Sequence, residues 1–204
     1  MKIVITIKLI LFLIICGCYG QSKHIETEIK KEIPTWSDGE VDLFYKLTKQ
    51  KREQLKLRDL EEGFDSLQIR VWIDYSLIDF RELYTFEYQN NKWEGVYYFM
   101  RTDWNSSNLT ETITETKRKI INPKSGWKDF SNKLIELEIT TLPNMGDIEG
   151  LVDGWTDGTT YNVEIGTKNN YRFYSYHLPD KFTEFWQAQN MVEILKLIEE
   201  EFIE

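Results

Sequence analysis

Alternating hydrophobic and polar residues in several stretches of the chain predict β-strands, because successive strand side chains point to opposite faces of a sheet. The segment LQIRVWIDY, residues 67–75, alternates throughout, with one side formed by Leu67, Ile69, Val71, Ile73 and Tyr75. We interpret residues 82–101 as a hairpin that turns at Asn90 and Asn91, since asparagine tolerates the positive φ of a tight turn. The segment TETITETKRKII, residues 110–121, is more polar and predicts an edge strand.

The clearest hairpin covers residues 160–177. Tyr161, Val163 and Ile165 alternate with other residues, GTKNN then predicts a turn, and YRFYSYH returns. If the turn is centred on Lys168, Glu164 lies opposite Arg172, and we expect a cross-strand ion pair between them.

Apolar residues spaced by three and four positions predict helices. One stripe consists of Trp127, Phe130, Leu134 and Leu137, and a longer one ends the chain with Phe185, Ala188, Val192, Leu195, Ile198 and Phe202. Asp38 is a candidate N-cap for an earlier helix, whose shared face would carry Val41, Phe44, Tyr45 and Thr48. The sequence therefore predicts an α+β domain, with an antiparallel sheet of about five to seven strands and helices packed on one face, including a C-terminal amphipathic helix.

The chain begins with a segment typical of bacterial export signals. Residues 3–15 are almost wholly apolar, a run too short for a permanent membrane span. The sequence Ile15-Cys16-Gly17-Cys18 resembles the lipobox of bacterial lipoproteins, which implies cleavage before Cys18 and a lipid on that cysteine. Ordinary cleavage after Gly20 is the alternative. We divide the chain into a lipoprotein-type signal peptide at 1–17, a lipid anchor with a flexible tether at 18–35, and one domain at 36–204.

Charge and cysteine content narrow the possible partners. Loss of the signal would remove two lysines and leave 23 of the 25 basic residues against 34 acidic ones, a net charge of −11. Such a surface repels nucleic acid and anionic lipid. Cys16 and Cys18 are the only cysteines, so we expect the exported domain to have no disulfide and to be stabilised by its core alone.

Few catalytic chemistries are open to this sequence. His24 lies in the tether, which leaves His177 as the one histidine of the domain, and one histidine cannot form a two-histidine zinc site. The domain has no cysteine for thiol catalysis, and it has no nucleophile-elbow, P-loop or dinucleotide-binding motif. A carboxylate pair of the kind used in glycoside hydrolysis stays open. We identify no catalytic residue, metal site or cofactor.

The stretch DGWTDGTTYNVE, residues 153–164, allows two interpretations. Asp157, Gly158 and Glu164 match positions of an EF-hand calcium loop, but Trp155 occupies a ligand position and the sequence that follows predicts a strand instead of a helix. We favour a turn that presents Trp155 beside an aromatic surface for a sugar ring or a peptide. The candidate ligand-binding residues are Trp155, Asp157, Arg172, Tyr174, Tyr176 and His177. For any single one of these residues we favour the alternative, in which Trp155 caps the edge of the core and the tyrosines pack under a helix.

Four features follow one another in the second half of the chain: the helix start PKSGW, a Gly- and Asp-rich turn before a tyrosine-containing hairpin, the step YHLP, and an acidic terminal helix. From Pro123 onward, the chain resembles in these features a group of uncharacterised exported proteins from Bacteroidetes-type bacteria. The resemblance implies export and an intact domain, but it implies no activity.

These observations lead to one expectation and two alternatives. We expect a non-enzymatic protein of the bacterial cell envelope that faces the periplasm or the cell surface, is anchored by lipid on Cys18, and binds a protein, peptide or glycan. One alternative is an acidic immunity or inhibitor-type protein, since its charge would speed association with basic enzymes. The other is a carboxylate-dependent hydrolase.

Overall fold

A seven-stranded sheet organises the chain. The computed structural model describes residues 28–36, 38–108, 110–151 and 157–203. The strands are β1 (Lys30–Glu32), β2 (Leu67–Tyr75), β3 (Phe80–Gln89), β4 (Lys92–Asn105), β5 (Thr110–Ile121), β6 (Thr159–Thr167) and β7 (Asn170–His177). They lie in the order β1-β7-β6-β2-β3-β4-β5, and all neighbours are antiparallel except the parallel pair β1 and β7. The predicted α+β class is confirmed.

Within the described residues, three α-helices cover the sheet: α1 (Leu43–Gln54), α2 (Trp127–Glu136) and α3 (Trp186–Phe202). Short 3-10 helices occur at Leu60–Glu62, Met145–Asp147 and Pro179–Phe182. Helices α2 and α3 pack on the same face of the sheet and form the main core with it, as expected. None of the described helices has both the length and the apolar character needed to cross a membrane.

Helix α1 differs from the expectation because it lies on the opposite face. Alternation along β2 places Arg70 and Trp72 on the side away from the main core, and both are buried beneath α1. The sheet is therefore covered on both sides. The helix also begins later than predicted: Asp42 is its N-cap and accepts a hydrogen bond from Tyr45 N at 3.1 Å, whereas Asp38 accepts from Glu40 N in the preceding turn.

The predicted turn between β3 and β4 and the predicted edge strand are both confirmed. Asn90 and Asn91 form the two-residue turn with φ of +52° and +59°. Strand β5 is the last strand of the sheet. The side-chain amide of Gln54 covers part of its edge by donating to Glu111 O and accepting from Ile113 N, both at 2.8 Å. This contact takes the place of a neighbouring strand and protects the edge from non-native pairing.

The hairpin of β6 and β7 exists, but its register differs from the prediction. The turn has two residues, Lys168 and Asn169, instead of five. Glu164 therefore lies opposite Phe173, and Ile165 lies opposite Arg172. A shift of one residue places Glu164 and Arg172 on opposite faces of the sheet, so the expected ion pair between them is wrong.

Part of the predicted tether belongs to the sheet. Strand β1 pairs with Asn170–Arg172 at the start of β7, and Arg172 Nε lies 2.5 Å from Glu32 Oε2. The boundary of the folded domain at 36 is therefore too late, because the structure already includes Lys30–Glu32 in the sheet. Three polar residues have too little periodicity to predict a strand, and the pairing depends on a partner about 140 positions away.

The C-terminal helix is confirmed, with a rotated buried stripe. The side chains that are most deeply buried on α3 are Ala188, Met191, Ile194 and Ile198. Val192 and Leu195, which the sequence placed within the stripe, lie at its margin and are partly buried. Ala188 and Ile198 belong to both stripes, whereas Met191 and Ile194 each neighbour a predicted position, so the stripe is rotated by less than the roughly 100° that separates adjacent helix residues.

Candidate ligand cavity

A cavity of about 1000 Å³ lies at one end of the sheet, beside β7. The strand ends contribute Ser76, Thr160, Ser175 and His177. The segment that leads into α1 contributes Pro34, Thr35, Trp36, Asp42 and Phe44, and two further loops contribute Asn144, Met145, Gly146, Asp147 and Asp157. These distant parts of the sequence meet because the end of β2, the start of β6 and the end of β7 are neighbours in the sheet.

The cavity lies beside the second half of β7, which has no pairing with β1. Pairing between the two strands stops at Arg172, and the chain then turns, with Asp42 N donating to Pro34 O at 3.1 Å. The loop after α2 covers the next part of the edge of β7. Asn144 Oδ1 accepts from Ser175 N at 3.0 Å, and Met145 Sδ accepts from His177 N at 3.2 Å.

Hydrogen bonds fix the strand wall of the cavity. Thr160 Oγ1 and His177 Nδ1 are 3.0 Å apart. Ser175 Oγ donates to Asn162 Oδ1 at 2.6 Å, and Asn162 Nδ2 in turn donates to Asp74 at 2.7 Å. The wall therefore presents polar side chains in set orientations, which is the arrangement that gives a ligand site its specificity.

Three carboxylates of the described residues line the cavity. Asp42 lies at the first turn of α1, Asp147 lies in the loop after α2, and Asp157 precedes β6. Burial raises the pKa of the Asp42 carboxyl, and hydrogen bonds from the Tyr45 and Phe44 amides offset only part of this effect. No lysine or arginine belongs to the described lining. The lining is therefore anionic at neutral pH.

Two aromatic side chains of the described residues, Trp36 and Phe44, also line the cavity. Trp36 is 39% exposed. Phe44 is partly buried and packs against a small second core beneath α1, which consists of Tyr45, Leu60, Phe64, Tyr171 and Phe173. One side of Phe44 is thus anchored in the fold while the residue borders the cavity, so a ligand there would meet a positioned aromatic ring.

Beneath α1, a set of buried charges lies beside this second core. We name it the arginine–glutamate quartet: Arg52, Glu61, Arg70 and Glu164. Arg52 Nη1 is 2.8 Å from Glu164 Oε1, Arg52 Nη2 is 2.7 Å from Glu61 Oε1, and Arg70 Nη1 is 3.5 Å from Glu164 Oε2. All four side chains are at least nine-tenths buried. Two positive and two negative charges balance, which is the condition under which ions are tolerated in an interior.

Hydrogen bonds complete the environment of the two carboxylates. Trp72 Nε1 and Tyr171 Oη each donate to Glu164 at 2.9 Å, and Tyr45 Oη donates to Glu61 at 2.6 Å. Burial alone would raise the pKa of Glu61, but the hydrogen bonds from Tyr45 and Arg52, together with the positive charges of Arg52 and Lys49, outweigh it and hold the pKa at about 2.

A second charged set joins α1 to strands β2, β3 and β5. We name it the lysine–aspartate quartet: Lys51, Asp74, Arg81 and Glu111. Lys51 Nζ donates to Asp74, and Arg81 Nε lies 2.8 Å from Glu111 Oε1. Because Asp74 also accepts from Asn162, a continuous chain of polar contacts leads from Ser175 in the cavity wall to Lys51 in α1.

The structure brings together two of the six predicted ligand-binding residues. Asp157 and His177 line the cavity. Tyr174 and Tyr176 are 1% and 0% exposed, so the prediction that they form an open surface is wrong. The chain after α2 folds back over this part of β7 and covers it, and Tyr174 Oη donates to Ile139 O at 2.7 Å.

Arg172 has a structural role in the same region. Its guanidinium donates to Thr140 O at 2.6 Å and to Leu142 O at 3.0 Å, and it pairs with Glu32. These contacts fasten the chain after α2 and strand β1 to β7. Trp155, the last of the candidate ligand-binding residues, and the predicted lipidation site Cys18 lie outside the described residues.

The EF-hand interpretation fails at its last position. Glu164 lies inside β6, and its carboxylate is enclosed by the arginine–glutamate quartet instead of facing a loop. Across the described residues, no group of three or more His, Cys, Asp or Glu side chains is placed to hold a metal ion.

Sequence analysis missed most of the cavity. It did not identify Trp36, Asp42, Phe44 or Asp147 as site residues. The sequence around Asp42 resembles a helix start, so its position at the N-terminus of α1 could have been predicted. No local pattern shows that residues 34–44 lie beside the end of β7, because that proximity depends on the pairing of β1.

Comparisons with known proteins give this chain no relative. No protein-family model matches it, and no curated protein and no solved structure is found to be similar.

Proposed function

We propose that this protein is a lipid-anchored, non-enzymatic binding protein of the bacterial cell envelope, whose ligand occupies the cavity beside β7. The lipobox-like sequence before Cys18 supports the anchor, and the cavity supports the binding function.

The observation that carries the binding function is the cavity itself. Its volume of about 1000 Å³ is at the upper end of the range usual for ligand pockets. Positioned hydrogen-bonding groups of Thr160, Ser175 and His177 lie on one wall, and Trp36 and Phe44 lie on another. This combination of apolar area and a few fixed polar groups is typical of sites that recognise small molecules or short polymer segments.

The hydrogen-bonding pattern favours binding over nucleophilic catalysis. Ser175 directs its hydroxyl proton to the Asn162 amide, which is no general base.

The first test is a thermal-shift screen of the mature wild-type protein. The compound panel contains amines, amino acids, short peptides and oligosaccharides. We expect at least one class to raise the melting temperature by about 5–10 °C when present at 100 times its dissociation constant, which corresponds to about 2.7 kcal/mol of stabilisation. A panel in which no class raises the melting temperature would contradict the proposal.

A carboxylate-dependent hydrolase is the second candidate. The observation in its favour is the raised pKa of Asp42, which lies in a cavity with two other carboxylates and suits a general acid. The two candidates separate when compounds that stabilise the protein are incubated with it. A binding protein returns them unchanged, whereas a hydrolase releases products and loses this activity in Asp42→Asn.

A further inference from the structure

We infer that the ligand of this cavity carries an organic cation, either an ammonium or a guanidinium group. The inference rests on the proposed function and names the chemistry of the ligand. It combines three properties of the cavity: the sign of its charge, its aromatic walls and the spacing of its carboxylates.

The first property is an excess of negative charge in the described lining. Asp42, Asp147 and Asp157 line one space, and the described lining contains no lysine or arginine. Lys46, which follows Asp42 along α1, pairs with Glu40 at 3.0 Å and also attracts the Asp42 carboxylate, whereas no basic residue of the described lining accompanies Asp147 and Asp157. A bound cation would balance the remaining negative charge, in a site partly shielded from water where such attraction is stronger.

The second property is the pair of aromatic side chains. Trp36 and Phe44 border the same space as the three carboxylates. A cation above an aromatic face is stabilised by the ring quadrupole, and tryptophan is the most effective ring for this contact. Aromatic walls with carboxylates suit an alkylated or delocalised cation, which loses its hydration shell more easily than a compact inorganic ion.

The third property separates an organic cation from a metal ion. No group of three acidic or histidine side chains in the described part of the chain converges closely enough to hold a metal. The carboxylates are therefore spread around a space of about 1000 Å³ instead of meeting at one point. A cationic group on a larger molecule can approach them without the oxygen cage that a metal ion requires.

Two sources could supply this chemistry: a free small molecule with an ammonium group, or a peptide with a basic side chain. Each source has a matched pair of probes. Choline is compared with its uncharged carbon isostere, in which a tert-butyl group replaces the trimethylammonium group. The tripeptide Gly-Arg-Gly is compared with Gly-citrulline-Gly, which keeps the shape of the side chain without its charge.

We expect isothermal titration calorimetry to show at least one cationic probe binding about tenfold or more tightly than its neutral counterpart. The double variant Asp42→Asn with Asp147→Asn should weaken that probe by about tenfold or more. Asparagine also serves as an N-cap, so the variant retains the start of α1. Asp38→Asn is the matched control, because Asp38 is an exposed aspartate of the same segment outside the lining and its loss should leave affinity unchanged.

The outcomes distinguish this inference from the function on which it rests. Equal binding of a cation and its isostere overturns the inference, and so does failure of both cationic probes. If another compound class then stabilises the protein, the binding function stands and only the cationic chemistry is wrong. If no class stabilises it, both are wrong.

Discussion

Glu164 holds two arginines in place beneath α1. Its carboxylate contacts Arg52 and Arg70, and it accepts hydrogen bonds from Trp72 and Tyr171. Removal of one partner from such a buried group leaves the others uncompensated, which costs far more than the loss of an ion pair at the surface.

Glu164→Gln should therefore lower the free energy of unfolding by about 3–5 kcal/mol, measured by urea denaturation. Glu115→Gln is the matched control, because the side chain of Glu115 is 44% exposed and lies 3.2 Å from Lys117 and 3.6 Å from Arg101. The control should change stability by less than about 1 kcal/mol. Similar small effects from both substitutions would show that the quartet adds little to stability.

The position of Glu164 was not predictable from its neighbours in sequence. The alternation of Tyr161, Val163 and Ile165 correctly assigns those residues to one face and Glu164 to the other. The sequence then favours a solvated glutamate, because an acidic residue opposite an apolar stripe is usually exposed. Burial of Glu164 depends on Arg52, which is 112 positions away and arrives with α1.

Helix α3 provides the broadest helical contribution to the main core. Ile194 is completely buried, whereas its neighbour Leu195 is partly buried at the margin of the stripe. Isoleucine and leucine side chains have the same number of carbon atoms, so substitution of each by alanine compares the effect of burial on stability with little change in chemistry.

Ile194→Ala should lower the free energy of unfolding by about 2–5 kcal/mol, the usual cost of removing a fully buried aliphatic side chain. Leu195→Ala should cost distinctly less, since solvent already reaches part of the leucine side chain. Chemical denaturation of both variants checks the order. A larger loss of stability from Leu195→Ala than from Ile194→Ala would show that α3 packs on the sheet with a different face from the one described.

Periodicity predicted the elements better than their arrangement. Strand β2 and helices α2 and α3 have one apolar side each, and a single repeating pattern is enough to identify them. Helix α1 buries Lys51 and Arg52, residues that normally indicate a solvated face, so its pattern did not reveal that it covers the sheet. Strand β1 is too short to have a pattern, and the cavity beside it depends on that strand.

At the scale of the whole molecule, β1 and the cavity lie at different ends of β7. The chain joins the sheet beside Asn170 at the start of β7, and the cavity lies near Ser175 and His177 at the end of that strand. The first residues of β1 and the cavity therefore lie at opposite ends of β7.

The anchor itself is tested by expression of the full chain with Cys18→Ser. We expect the unsubstituted protein in the membrane fraction and the variant either released or retained with its signal uncleaved, as measured by fractionation and mass spectrometry. An unsubstituted protein that is soluble and begins at Gln21 would contradict the lipoprotein assignment.

The central claim is that the cavity beside β7 is the ligand site. The most direct measurement is the dissociation constant of one ligand, obtained from the thermal-shift screen, for wild type and two tryptophan variants. Asp147→Trp inserts a bulky side chain at the cavity lining, whereas Glu149→Trp makes the same change at an exposed position two residues away and outside the lining. We predict that Asp147→Trp weakens binding by at least about tenfold, or 1.4 kcal/mol, while Glu149→Trp binds like wild type. Unchanged affinity in Asp147→Trp would place the ligand elsewhere on the molecule and contradict the account.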